Sequence, residues 1–138
     1  QSVVRVLLQH RADPEAETQQ GWTALQFATQ GGDAPVVELL LEHGASSNRP
    51  TPNGRAPLII ACEGGHTQAA RALLSGGATV NAENSGGWSA LHIACQNRHV
   101  PLVNELIAAG ADVQALTEKG WTPLHLVAQS GDATIAHA

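Results

Sequence analysis

Aromatic side chains are scarce in this chain of 138 residues, which contains three Trp, one Phe and no Tyr, and it also lacks Met. Its hydrophobic share of 43% is nevertheless sufficient for one folded domain. Long apolar runs are absent too, because no stretch approaches the roughly 18 residues of a membrane span. No charged segment leads into an apolar one near the start, as in a signal peptide. The sequence therefore predicts neither membrane insertion nor secretion.

Positive charge is also sparse and unclustered. Seven Lys and Arg are scattered along the chain against twelve Asp and Glu, which gives a net charge of −5. A protein face that follows nucleic-acid phosphates needs a stripe of cations. Nucleic acid is therefore not an expected partner.

Glycine, by contrast, is abundant at 14 residues and recurs at a fixed interval. Several positions repeat every 33 residues, among them Gly21, Gly54, Gly87 and Gly120, followed in phase by Leu25, Leu58, Leu91 and Leu124. A fixed period of about 20–50 residues indicates a solenoid or another array of stacked units. All three tryptophans directly follow one of these glycines.

Each unit has the pattern of two short helices and a turn. Thr23, Ser89 and Thr122 are hydroxyl residues placed to cap a first helix. A second helix ends at Gly44, the residue type best able to adopt a left-handed conformation after a helix. The polar residues 81–86, before the next unit, are typical of a hairpin turn.

These residues resemble the ankyrin repeat. The stretches GWSALHIACQNRHVPLVNELIAAGADVQ and GWTPLHLVAQSGD carry its pattern, and looser versions extend the resemblance over essentially the whole chain. Gln26 and Ile59 depart from the pattern where it has histidine, Ala56 where it has a capping hydroxyl, and Arg11 where it has glycine. The resemblance implies an all-α ankyrin-repeat solenoid of stacked helix-turn-helix units. Its inner helices and hairpin fingers would line a concave face, backed by outer helices.

The period predicts a single domain over residues 1–138. It comprises a partial repeat over 1–20, full repeats over 21–53, 54–86 and 87–119, and a partial repeat over 120–138. Terminal units of such arrays normally have polar outer faces. Here apolar residues stand at both ends: Val3, Val4, Leu7 and Leu8, then Leu126, Val127 and Ile135. We therefore expect the chain to be part of a longer array.

Three residues could suggest a zinc site, since His92, Cys95 and His99 are ligand types spaced along one helix. The period indicates a structural role instead, because His92 aligns with His125, and His99 with the start of an outer helix. Cys62 and Cys95 occupy equivalent positions in neighbouring units, about 8–10 Å apart in packed helices. A disulfide needs Cα atoms within about 7 Å. We therefore expect free, buried thiols and no metal. Free thiols favour a reducing compartment, the cytoplasm or the nucleus.

The sequence contains no motif of a catalytic site. The nucleophile-elbow, phosphate-loop and dinucleotide-loop patterns do not occur, and no catalytic residue, cofactor or small-molecule substrate is predicted. The resemblance does imply one modification. Asn48 and Asn81 stand in the hairpin position that an asparaginyl hydroxylase often modifies in ankyrin repeats. Alternatively, both asparagines simply form hydrogen bonds within the turn.

Partner-binding residues are expected at exposed positions that differ between the units. The predicted set is Trp22, Gln30, Arg55, Glu63, Trp88, Gln96, Asn97, Trp121 and Gln129. Trp and Arg are enriched in binding hot spots. Alternatively, each Trp only packs across a neighbouring finger, with Arg55 stacked on Trp22 or Trp88. We predict a non-enzymatic module that binds a protein or peptide. The alternative is a structural spacer or regulatory array within a larger adaptor, kinase or channel protein.

Overall fold

The computed structural model describes residues 2–130, and these contain eight α-helices of seven to nine residues each. In chain order they are α1 (Ser2–Gln9), α2 (Ala24–Gln30), α3 (Ala34–Glu42), α4 (Pro57–Glu63), α5 (Thr67–Ser75), α6 (Ala90–Gln96), α7 (Val100–Ala108) and α8 (Pro123–Ser130). Between each outer helix and the next inner helix lies a hairpin turn, here called a finger. Isolated antiparallel bridges close two of these fingers, Glu17 with Thr23 and Glu83 with Ser89.

The helices stack in two layers. The inner layer is α2, α4, α6 and α8, each packed on the next, and the outer layer is α1, α3, α5 and α7, in the same order. Within a unit, α2 packs on α3, α4 on α5, and α6 on α7. The core between the layers is aliphatic, as the scarcity of aromatics requires, and Leu58, Leu73, Leu91, Leu102 and Leu106 are almost completely buried in it. The predicted all-α solenoid is confirmed.

Glycine precedes each tryptophan for a reason of backbone geometry. Gly87 has a φ of 76°, in the left-handed region that other residues rarely adopt. A Cβ atom at this position would also lie 2.7 Å from the backbone nitrogen of Glu118 in the next finger. Another residue at position 87 would therefore strain its own turn and displace the neighbouring one.

Polar side chains cap the inner helices and also join one unit to the next. In α6 the Ser89 N–H donates to Nδ1 of His92 at 3.1 Å, and His92 Nε2 donates to the carbonyl oxygens of Ala115 and Trp121 at 3.0 Å. In α2, Gln26 stands where the repeat pattern has histidine and makes the equivalent bonds. Gln26 accepts from Thr23 N–H at 2.8 Å and donates to the Arg49 carbonyl at 2.9 Å.

A second set of bonds joins the turns that follow the outer helices. Asn48 Oδ1 accepts from Thr79 N–H, and Asn81 Oδ1 accepts from Asp112 N–H, both at 2.8 Å. Glu15, in the equivalent position of the first unit, accepts from the backbone nitrogen of Ser46 at 2.8 Å. The asparagines thus bond the turn of the following unit rather than only their own. Their hydroxylation stays a prediction.

Both ends of the described array expose apolar side chains, although not all of those predicted. Leu8, Leu126 and Val127 are buried, and Ile135 lies outside the described residues. Leu124 is 59% exposed, whereas its equivalents in the three preceding units are almost completely buried. The difference arises because a following inner helix covers those equivalents.

We expect the inner helix of the 54–86 unit to open more readily than that of the 87–119 unit. Ala56 provides no side-chain cap for α4, and Ile59 cannot make the bonds of His92. A missing cap costs about 1 kcal/mol. Amide hydrogen exchange on the native protein measures the difference as lower protection in α4 than in α6. Equal protection of the two helices would contradict it.

Candidate functional site

The nine predicted partner-binding residues all retain accessible surface. Trp22, Arg55, Trp88 and Trp121 are half-buried, while Gln30, Glu63, Gln96, Asn97 and Gln129 are exposed. The tryptophans and Arg55 lie at the bases of the fingers, and the other five at or just after the ends of inner helices. We call this surface the finger face.

At the first fingers, Arg55 connects an aromatic ring to a carboxylate. Its guanidinium carbon lies 5.8 Å from the centre of the Trp22 ring, one of the two arrangements that the sequence left open. Its Nε and Nη2 atoms both donate to Glu63 Oε1, at 2.9 and 2.5 Å. Trp22 in turn packs against Phe27, with ring centres 5.3 Å apart. Phe27 is 48% exposed and was not predicted to be part of this surface.

Four of the predicted residues come together around Trp88. A surface cavity of about 270 Å³, here called the Trp88 cup, is lined by Glu63, Asn84, Trp88, Ile93, Gln96 and Asn97. Sequence comparison of the units missed Asn84 and Ile93. Asn84 is half-buried at the base of a finger, and Ile93 occupies a regular apolar position of the repeat. Asn84 does differ from its equivalents in the sequence, since the other units have Thr18, Thr51 and Thr117 at this position, whereas Ile93 occupies a position that is apolar in every unit.

The position of Trp88 is fixed by buried neighbours. Asn84 Oδ1 accepts from the backbone nitrogens of Trp88 and Gly86, at 3.0 and 2.9 Å, and so orders the finger. The Trp88 ring lies 5.9 Å from the ring of His92, which is completely buried and bonded at both ring nitrogens. The indole is therefore held in place before any partner arrives.

Trp121 does not join this cup. Its ring lies 6.1 Å from His125 in an edge-on arrangement, beside a separate cavity of about 190 Å³ that these residues line with Gly120. Gln129 lies next to the end of the described residues. The predicted ladder is thus divided into an Arg55 cluster, the Trp88 cup and a separate Trp121 site.

Two larger grooves lie away from the finger face. One, of about 470 Å³, runs between the outer helices α3 and α5. The other, of about 450 Å³, is at the last described unit and includes the exposed Leu124. Because that groove stands at the edge of the described segment, its walls do not define a site.

The geometry disfavours the zinc interpretation of His92, Cys95 and His99. Nε2 of His92 donates to two carbonyl oxygens, and Nδ1 accepts from Ser89, so neither nitrogen points a lone pair at a shared ion. Instead of facing His92, the ring of His99 packs against Gly65 of the preceding unit. Within residues 2–130, no group of three or more His, Cys, Asp or Glu residues is arranged to hold a metal.

Two glycines in the turns between an inner and an outer helix, Gly32 and Gly65, leave room for histidine rings. A Cβ on Gly32 would lie 2.5 Å from Nδ1 of His66, and one on Gly65 would lie 2.7 Å from the ring of His99. His66 Nε2 also bonds the carbonyl oxygen of Gln30 at 3.1 Å. These loops therefore serve packing between units.

Both cysteines are free and buried, as predicted. Burial, and to a lesser degree the adjacent Glu63 charge, raises the pKa of the Cys62 thiol to about 12. Burial alone raises the pKa of Cys95 to about 11. Because the thiolate is the nucleophile, neither side chain is suited to covalent catalysis near neutral pH.

The comparison with protein families agrees with this geometry. The family model described as "Ankyrin repeats (3 copies)" matches residues 1–84 and again residues 80–138. The chain belongs to the ankyrin-repeat family. A search of curated proteins found no match. Ankyrin repeats are generally protein–protein interaction modules and typically non-enzymatic. None of the described helices has the length and apolar character needed to cross a membrane.

We expect His92→Ala to lower the free energy of unfolding by about 2–3 kcal/mol, because it leaves buried backbone groups unpaired. His92→Gln should be milder, since Gln26 makes the equivalent bonds in the first unit. Urea unfolding monitored by circular dichroism measures both values. Equal losses for the two variants would show that the bonds between units contribute little.

The thiols should be unreactive in the native protein. At pH 8 a disulfide reagent such as DTNB is expected to modify Cys62 and Cys95 far more slowly than it does in denaturant, because their raised pKa values keep the thiolate scarce. The native rate should rise as the pH approaches 11, first at Cys95. Rapid native labelling of either cysteine at pH 8 would contradict the burial.

Proposed function

We propose that the chain is a non-enzymatic module that binds a peptide segment of a protein partner through its finger face, centred on Trp88. The observation that carries this proposal is the Trp88 cup, where an aromatic ring, a carboxylate and three amides converge on one cavity. Trp provides a large contact area and a polar N–H, which is why it is frequent at interfaces. Two free thiols support placing the module in the cytoplasm or nucleus.

The alternative role of the tryptophans, packing between fingers, accounts for part of their surface. Trp88 does contact the core, and its ring lies close to His92. However, it stays half-buried and forms one wall of an open cavity rather than filling it. The two roles are compatible, because packing on one side of the indole orders the side that a partner would contact. Such preorganisation reduces the entropy lost on binding.

The proposed partner is a peptide in an extended or helical conformation. The Arg55 cluster, the Trp88 cup and the Trp121 site follow one another along the stacked fingers. A segment lying across them would contact several units at once. A spacer would require no such row of accessible aromatic and amide groups.

We expect Trp88→Ala to abolish most peptide binding with little loss of stability. Peptides are selected from a displayed random library against the wild-type chain, and their affinities are measured by calorimetry. Removing a hot-spot side chain typically costs at least about 2 kcal/mol, which is a loss of affinity of about 30-fold. Thermal melts of both proteins check that the variant is folded.

The control is Arg71→Ala on the opposite layer. Arg71 is exposed on α5 and pairs with Glu105 of α7, away from the fingers. Peptides that bind the finger face should retain their affinity for this variant. If every selected peptide binds Trp88→Ala as tightly as wild type, the finger face is not the binding site and the spacer role is favoured.

A further inference from the structure

The Trp88 cup has the chemistry of a cation site. Among the described residues that line it, the one formal charge is the Glu63 carboxylate, and the remaining polar side chains are the amides of Asn84, Gln96 and Asn97. We propose that this cup binds an arginine side chain of the partner peptide. This inference rests on the proposed function and names the residue type that the cup would select.

The chain itself contains an example of the same recognition. The Arg55 guanidinium lies over the Trp22 ring at 5.8 Å and donates two hydrogen bonds to Glu63. Arg55 stands in the repeat position that Trp88 occupies in the following unit. Glu63 therefore lies between two fingers that carry tryptophan. Arg55 lies on the side of Trp22, and the open cup lies on the side of Trp88. A partner arginine in the cup would bind the same carboxylate as Arg55, but beside Trp88 instead of Trp22.

Glu63 has the capacity for a second guanidinium. Both bonds from Arg55 go to Oε1, and a carboxylate offers about four acceptor sites over its two oxygens. The Glu63 side chain is 37% exposed and lines the cup, so its carboxylate can be approached from there. Because Arg55 already offsets part of the charge, the carboxylate alone gives a modest attraction. The exposed amide oxygens of Gln96 and Asn97 supply the further acceptors.

The shape of the cup favours arginine over other side chains. Its volume of about 270 Å³ lies below the roughly 300–1,000 Å³ of sites for drug-sized ligands, which suits one side chain. A planar guanidinium can stack on an indole while its in-plane N–H groups donate to a carboxylate, whereas an ammonium cannot do both equally well. The net charge of −5 also attracts a basic segment before contact.

The test compares arginine with citrulline, which has nearly the same shape but no charge. Each arginine in the selected Trp88-dependent peptides is replaced in turn by citrulline, and affinities are measured by calorimetry. We expect one replacement to weaken binding to the wild-type chain about tenfold, because it removes a charge-assisted hydrogen bond and a cation–π contact. Replacement of that arginine by lysine should give an intermediate loss.

Two variants of the chain locate the effect in the cup. In Glu63→Gln the difference between arginine and citrulline should fall below about threefold, since the charge of the acceptor is gone. The matched control, Glu38→Gln, removes the same charge from an exposed position on α3 in the outer layer and should leave the difference unchanged. Gln96→Lys places a cation in the cup and should repel the arginine peptide by more than tenfold. Thermal melts confirm that each variant is folded.

The outcomes separate this inference from the proposed function. Trp88-dependent peptides that lack arginine, or that tolerate citrulline within twofold, would overturn the arginine site and leave the binding function intact. An undiminished arginine preference in Glu63→Gln would do the same. The absence of any Trp88-dependent peptide would overturn both proposals.

Discussion

The structure depends on one constraint, which is that none of the helices described in residues 2–130 is long enough to be stable alone. Each has seven to nine residues, whereas isolated helices shorter than about 12–15 residues are marginal in water. Stability must therefore come from neighbouring units, as in other solenoids. The leucine position of the inner helices illustrates this dependence. Leu58 is 1% exposed between two units, and Leu124 is 59% exposed where no described unit follows.

Because the units depend on each other, the polar bonds between them determine where the fingers lie. His92 joins α6 to the finger of the next unit through two carbonyl oxygens, and Gln26 makes a comparable bond with different chemistry. These side chains satisfy buried backbone groups that would otherwise lose water without compensation. His92 also lies against the indole of Trp88. At this finger, the residue that satisfies buried backbone groups also packs against the ring at the centre of the proposed binding surface.

Most of the fold could be predicted from the sequence because its determinants are local and periodic. The 33-residue spacing, the hydroxyl caps and the glycines at left-handed turns each follow from short stretches of chain. The exposure of an apolar position was less predictable. Phe27 and Ile93 are equivalent in the repeat, yet they are 48% and 6% exposed, because burial at this position depends on the preceding inner helix. The inclusion of Asn84 and Ile93 in the Trp88 cup depends likewise on how adjacent units are offset.

The arginine among the tryptophans contributes little to stability through its ion pair. The pair of Arg55 and Glu63 is partly exposed, with side-chain accessibilities of 26% and 37%, and such ion pairs contribute about 0–1 kcal/mol. A row made only of tryptophans would offer similar apolar surface at every finger and little means of fixing the register of a peptide. Arg55 holds the Glu63 carboxylate beside one finger, and in the proposed binding mode this carboxylate marks a defined unit of the row. If the proposed arginine site is correct, a partner with a complementary cation would align along the array in a single register.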